Sequence, residues 1–320
     1  MAIGQGNIID DADYNGIQSE VSSTLGTGSG DRGYGQAVTS AQVAAGNLIT
    51  AQHMINLKTD IDKISFHQTN AASSAPAISV GGTIIASDWS TYSSQITTLS
   101  NSANRLRIFG VDDAIGNTSQ STWLLDQATS AVSNWNGNKI HYITVDFGTA
   151  DGARYFFNTG GEIRLVPKHS GNTTTTTKGG RWKAMFDSLG TRGVRIGANS
   201  TLCAGGSPQT ARGYYQLTTT NQQVFEIIDT GTYSGNDFTV FARISSPLRY
   251  LYIEAYFRDD TAVTGNTGTV DDGPTDEAVD GTTTSSVGSF RATGSYVAWT
   301  GTNYGLPAGQ LGPAFTDTDM

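Results

Sequence analysis

The stretch KIHYITVDF, residues 139–147, alternates strictly: Ile143, Val145 and Phe147 point one way while Tyr142, Thr144 and Asp146 point the other. A period of two over this length is a half-buried strand. The same period recurs at 161–167, 193–197, 213–219, 223–229, 238–245, 249–258 and 295–299, with Gly, Thr and Asn filling the spacers. Roughly eight short strands joined by such turns predict an antiparallel β-sandwich, jelly-roll-like, over residues 111–320 rather than a parallel α/β sheet. One helix interrupts them near 181–190, where Trp182, Met185, Phe186 and Leu189 fall on one helical face and Gly190 is placed as the C-cap. Phe156, Phe157 and Ile163 are expected to flank a turn in which Gly160 and Gly161 permit backbone angles that other residues resist. On that reading Gly161→Val costs on the order of 1–3 kcal/mol.

Upstream of this stretch the period lengthens. Tyr14, Ile17 and Val21 recur as Met54, Leu57 and Ile61 and again as Trp89, Tyr92 and Ile96, a bulky residue followed by apolar ones at i+3 and i+7. Asp11, Thr50 and Ser87 precede the three runs as candidate caps. Residues 1–110 therefore read as three short helices, and the whole chain as mainly β with a helical N-terminal segment. Apolar faces this narrow must pack on one another, on the second domain or on another subunit. The expectation is an anchoring and oligomerisation segment whose nine stripe residues form an interface. A fourth helix is predicted at Thr122–Ser133 and a short strand at Ala77–Val80.

Composition narrows the function classes. Of 320 residues 37% are apolar and only 15% charged, while Gly numbers 39, Ser 30 and Thr 43. Small hydroxylated residues take the place of charges, which argues against a helix-rich enzyme and for strands, turns and self-association. A formal charge of -9 opposes a general affinity for nucleic acid or anionic lipid. The charge is segregated: Arg164, Lys168, Lys178, Arg181, Lys183, Arg192 and Arg195 face an acidic run from Asp259 to Asp280 that holds no base. Pairing of the two runs, within a chain or between neighbours, is the expectation. The N-terminus has no basic or apolar signal region, and no run of eighteen apolar residues occurs. That predicts a protein made in the cytoplasm without membrane insertion. Cys203 is the sole cysteine, so one chain forms no disulfide.

Motifs for chemistry are weak. Gly28, Gly30 and Gly33 satisfy GxGxxG, but a helix precedes them and no helix follows at once, so a loop is the better reading. Asp11, Asp13, Asn15 and Gly16 open like a calcium loop, yet the twelfth position is Ser22 where a bidentate Glu belongs, and capping of the helix explains the acids better. His53, His67, His141 and His169 lack metal-ligand spacing. No catalytic residues and no cofactor are therefore expected, with calcium on Asp259, Asp260, Asp276 and Asp280 as the one metal candidate. Trp135, Tyr233, Trp299 and Tyr304 lie beside turn residues and are candidate sugar-stacking platforms, against the plainer reading that they fill a core.

Several segments together resemble a known family. RYFFNTGGEIRL (154–165), RWKAMFDSLGTRGVRIG (181–197), GYYQLTTTNQQVFEI (213–227), YIEAYFRDD (252–260) and DEAVDGTTTS (276–285) are similar to a module of virion structural proteins in contractile-tailed marine bacteriophages, cyanophages especially. DYNGIQSEVSSTLGTGSGDRGYGQ (13–36) and LITAQHMINLKTDI (48–61) resemble the leader that precedes that module. The resemblance implies a non-enzymatic virion component of tail, fibre or neck, a homo-oligomer contacting other virion proteins. The alternative is a carbohydrate-recognition module at a fibre tip that binds host surface glycan.

Overall fold

The computed structural model describes residues 9–101, 123–135, 137–171, 177–189, 193–197, 201–203, 213–230, 233–259, 279–291 and 314–319. The chain divides into two compact units, one comprising Met1–Val111, Arg154–Gly160 and Ala292–Tyr304, the other Asp112–Ala153, Gly161–Arg291 and Gly305–Met320.

In the first unit, α1 (Asp11–Leu25), α2 (Ala51–Thr69) and α3 (Ala86–Ser100) form where the repeat places them. Their caps differ in part from expectation. Asp10 rather than Asp11 caps α1 by accepting from Asp13 N at 2.8 Å. Thr50 caps α2 in a box with His53, and the N-cap of α3 is Ile85 rather than Ser87, its N–H held by Asp88.

The nine stripe residues assigned to a subunit interface are core residues instead. Tyr14, Ile17, Val21, Met54, Leu57, Ile61, Trp89, Tyr92 and Ile96 are all buried in one cluster within the single chain. The stripes suffice because each helix contributes a further residue (Leu25, Ile64, Leu99) and the connecting loops add Tyr34, Val43 and Ala75. Apolar side chains left outward in this unit include Leu48, Val80 and Ile85. The stretch 77–80 is irregular and carries no strand.

Buried polar groups fix the loops to this core. The fully buried carboxylate of Asp60 on α2 accepts from Thr39 N at 2.8 Å, Ser40 N at 2.7 Å and Lys63 Nζ at 2.9 Å. Asn15 exchanges two bonds of 2.8 Å with the backbone of Val43. Burial, then the nearby carboxylates of Asp60 and Asp62 respectively, push the hydroxyls of Tyr14 and Tyr92 up to about 12. Both are raised above the ordinary value, so they stabilise the fold fully below pH about 10, and that contribution falls as pH rises through about 12. We expect helical circular dichroism to be lost in this window together with the appearance of buried tyrosinate absorbance. Ionisation of both rings with the helices intact would contradict it.

The second unit holds two five-stranded antiparallel sheets. Their strands are β1 (Trp123–Trp135), β2 (Lys139–Asp146), β3 (Gly161–Ser170), β4 (Val194–Gly197), β5 (Thr201–Cys203), β6 (Gln222–Ile228), β7 (Asp237–Ile244), β8 (Tyr250–Arg258), β9 (Val279–Arg291) and β10 (Ala314–Asp319). One sheet runs β1-β9-β3-β4-β5 and the other β10-β2-β8-β7-β6. Successive strands β1, β2 and β3 alternate between sheets, as do β8, β9 and β10, whereas β3-β4-β5 and β6-β7-β8 are meanders within one sheet. The chain is thus mixed, with antiparallel sheets and helices mainly N-terminal, rather than mainly β.

Two further helices interrupt the strands: α4 (Ala150–Asn158) and α5 (Lys178–Leu189). Phe156 and Phe157 belong to α4 and not to a turn, while Gly160 has the positive φ, 91°, that closes the helix. Gly161 and Ile163 lie in β3, so Gly161→Val loses its special cost. The predicted helix at Thr122–Ser133 is strand β1, because its Ser, Thr and Ala residues fit a ladder to β9, with Ala128 opposite Val287 and Val132 opposite Thr283. Residues 214–216 form a 3₁₀ turn instead of the strand expected at 213–219. The strand expected at 295–299 and the Gly190 cap lie outside the described residues. Among the described residues, no helix is long and apolar enough to cross a membrane.

Candidate functional site

Strand β8, YLYIEAYFR, sends Leu251, Ile253, Ala255 and Phe257 inward and leaves Tyr250, Tyr252, Glu254, Tyr256 and Arg258 half-buried on the other face. Antiparallel register sets neighbours beside them: Tyr142 of β2 and Phe241 of β7 oppose Glu254, and Arg243 of β7 opposes Tyr252. The outer face of this sheet is consequently a ladder of tyrosines and arginines.

Its members hold one another in place. The Arg243 guanidinium lies over the Tyr252 ring at 3.9 Å, with Arg249 over Tyr250 at 4.9 Å and Arg258 over Tyr256 at 5.1 Å. Tyr250 and Tyr252 stack with centroids 6.0 Å apart, and Phe241 meets Tyr256 edge-on at 5.4 Å. Arg249 forks onto Asp146 with two contacts of 2.6 Å, a geometry that holds the Asp146 carboxyl below its ordinary range. Tyr256 donates to Glu254 Oε2 at 2.8 Å. Burial, then that bond to Glu254, pushes its hydroxyl up to about 12. Such rigid amphipathic side chains lose little entropy on contact, which suits binding more than proton transfer.

The residues singled out from sequence fall elsewhere. Trp135 and Tyr233 are buried, Trp135 donating to Thr283 Oγ1 at 2.9 Å, so neither is an exposed platform; Trp299 and Tyr304 lie outside the described residues. The glycine-rich loop is held within its own unit by α4. Arg154 and Tyr155 donate to Thr27 O at 2.8 and 3.0 Å, and Asn158 donates to Asp31 O at 3.1 Å and to Gly33 O at 2.8 Å. A Cβ on Gly33, whose φ is +105°, would stand 2.4 Å from Thr27 O. The glycines therefore serve close backbone packing. A cleft of about 480 Å³ beside this loop is lined by hydroxyls and amides such as Gln18, Ser22 and Gln42, with no titratable group.

No family model, curated protein or solved structure matches the chain.

Among the calcium candidates, Asp259 is fully buried against Lys178 Nζ at 3.0 Å and so is committed to an ion pair. Asp260 and Asp276, and the side chain of Asp280, lie outside the described residues. Among the described residues, no group of three or more His, Cys, Asp or Glu side chains could hold a metal. Among the described residues, the pairing of basic and acidic runs is seen in the contact of Lys178 with Asp259. Arg181 instead grips Asp229, Arg164 pairs with Glu162 at 2.9 Å and Lys183 with Asp187 at 2.5 Å. Sequence reading missed the ladder although its signal, tyrosine at every second position of 250–256 broken only by Glu254, is plain in the strand.

Proposed function

We propose that the chain is a non-enzymatic structural subunit of a bacteriophage particle, placed in tail, fibre or neck, and that the outer face of β8 is its contact surface with a second copy of itself. The family resemblance supports the first part. The two sheets are read here as the halves of one β-sandwich with jelly-roll-like winding at β1–β3 and β8–β10. One observation carries the second part: tyrosines 250, 252 and 256 already carry arginines over their rings. A ring face covered by guanidinium stacks poorly on a sugar, but a pre-ordered array of Tyr and Arg is the composition of interface hot spots. The same face carries both signs of charge, as a self-complementary two-fold contact requires. No cofactor is needed for this role, and neighbouring virion proteins are further partners.

Arg243→Glu with Tyr252→Ala should shift the protein to monomer in light scattering and weaken self-association at least tenfold while leaving circular dichroism intact. Mass spectrometry of purified particles should find the chain in stoichiometric amounts. A wild-type protein that stays monomeric and binds a host glycan saturably on an array would overturn this reading in favour of the receptor-binding alternative.

A further inference from the structure

At the start of α5, Lys178 is fully buried, as is its partner Asp259. The amine lies 3.0 Å from Asp259 Oδ1 and 3.2 Å from Oδ2. Asn236 is also buried, and its amide satisfies both neighbours in the orientation where the nitrogen donates to the same Oδ1 at 3.1 Å and the carbonyl oxygen accepts from Trp182 Nε1 at 3.2 Å, the assignment adopted on that ground. Aromatic rings line the surroundings of Trp182: Trp135 and Phe186 each at 5.3 Å and Phe257 at 6.3 Å, with Phe238 at 5.0 Å from Phe257. An amine, a carboxamide and a carboxyl group are thus held together in a site shielded from bulk water.

Each contact corresponds to one requirement of amide exchange. The nucleophile rests on a base, the leaving nitrogen rests on the same group acting as acid, and the oxygen that gains charge faces a fixed N–H donor. Asp259 itself is the poorer electrophile, because a carboxylate is less electrophilic than a carboxamide and here both of its oxygens are engaged by the amine. Positioning of this kind replaces a bimolecular encounter by an intramolecular one.

We propose that Lys178 and Asn236 become joined by an intramolecular isopeptide bond, with Asp259 as the proton carrier. Asp259 takes a proton from Nζ, and the freed lone pair attacks Asn236 Cγ. Charge gathers on the carbonyl oxygen under the Trp182 N–H. The Cγ–Nδ2 bond then breaks. Two protons leave Nζ in turn through Asp259 and both end on Nδ2, which departs as ammonium. One C–N bond forms and one breaks, nothing is oxidised or reduced, and Asp259 returns to its starting state. The proposal is independent of what the tyrosine ladder binds.

Intact mass spectrometry of the purified full chain tests it. The expected mass is ~17 Da below that of the sequence, after allowing for any removed initiator Met, with a branched peptide joining Lys178 and Asn236 in a digest. Asp259→Asn and Lys178→Arg should restore the unlinked mass. Should either variant fail to fold, the wild-type mass and peptide map still decide. A wild-type protein of full sequence mass overturns the proposal. So does a loss of ~18 Da with Lys178 joined to Asp259, which would make the carboxyl the electrophile.

Discussion

Asp60→Ala is expected to lower the unfolding free energy by about 3–5 kcal/mol, as removal of one member of a buried charged cluster does. The carboxylate has no exposed surface and holds Thr39 N, Ser40 N and Lys63 Nζ. Alanine leaves the backbone donors of Thr39 and Ser40 without their acceptor and takes the carboxylate partner from Lys63. Asp60→Asn keeps one acceptor oxygen and should cost less than half as much. Urea unfolding followed by circular dichroism measures both. Equal losses for the two variants would show that the charge on Asp60, not its geometry as an acceptor, holds the segment.

Gly193→Ala carries the second large effect, about 2–5 kcal/mol from backbone strain and overpacking together. Gly193 has φ +53°, and a Cβ there would stand 1.8 Å from Leu165 O and 2.9 Å from Val166 Cα. Only backbone atoms are met, so no side chain can swing aside. Gly30→Ala is the control, since φ is +63° there but nothing lies within 4 Å of the added carbon. Its cost should stay near the conformational penalty alone, about 1–2 kcal/mol. Identical melting temperatures for the two variants would mean that the close approach of β3 to Gly193 relaxes freely.

The comparison of these glycines shows what sequence alone conveyed. Glycine at 160 and 161 marked a special backbone position, but only Gly160 has a positive φ, and the constraint at Gly193 depends on a strand nearly thirty residues earlier in the chain. Period-two runs located most strands of the sheets, because alternation is a local consequence of one face being buried. Residues 123–135 resisted, since Ser, Thr and Ala satisfy either period until a partner strand is known. The helical repeat was legible, yet whether its stripes meet one another or another subunit depends on loop residues such as Tyr34 and Val43 that carry no periodic signal. The tyrosine ladder was written in β8 all along. Aromatics beside turns are the ordinary sequence sign of a binding platform, whereas here register with β2 and β7 assembles the surface from mid-strand residues. Segregated charge pointed to Lys178 and Asp259, but neither the burial of that pair nor its contact with Asn236 follows from charge.

The interleaved strand order also governs the timing of folding. Trp123 must find Phe290, Asp146 must find Tyr250, and Lys168 must find Thr284. Closing loops of that length costs entropy before any contact rewards it, so topologies of this kind fold slowly. During synthesis on the ribosome, the segment of β1 waits without its ladder partner until β9 has been made. Over that interval its backbone donors and acceptors are open to strands of other nascent chains. Even the glycine-rich loop near the N-terminus acquires its clasp only after residues 154–158 emerge. Dense polysomes translating this message would hold many such half-paired chains side by side, and of the two strands it is β1, with Leu124, Leu125, Val132 and two tryptophans, that waits, while the Thr, Ser and Gly abundant in β9 belong to the strand made later.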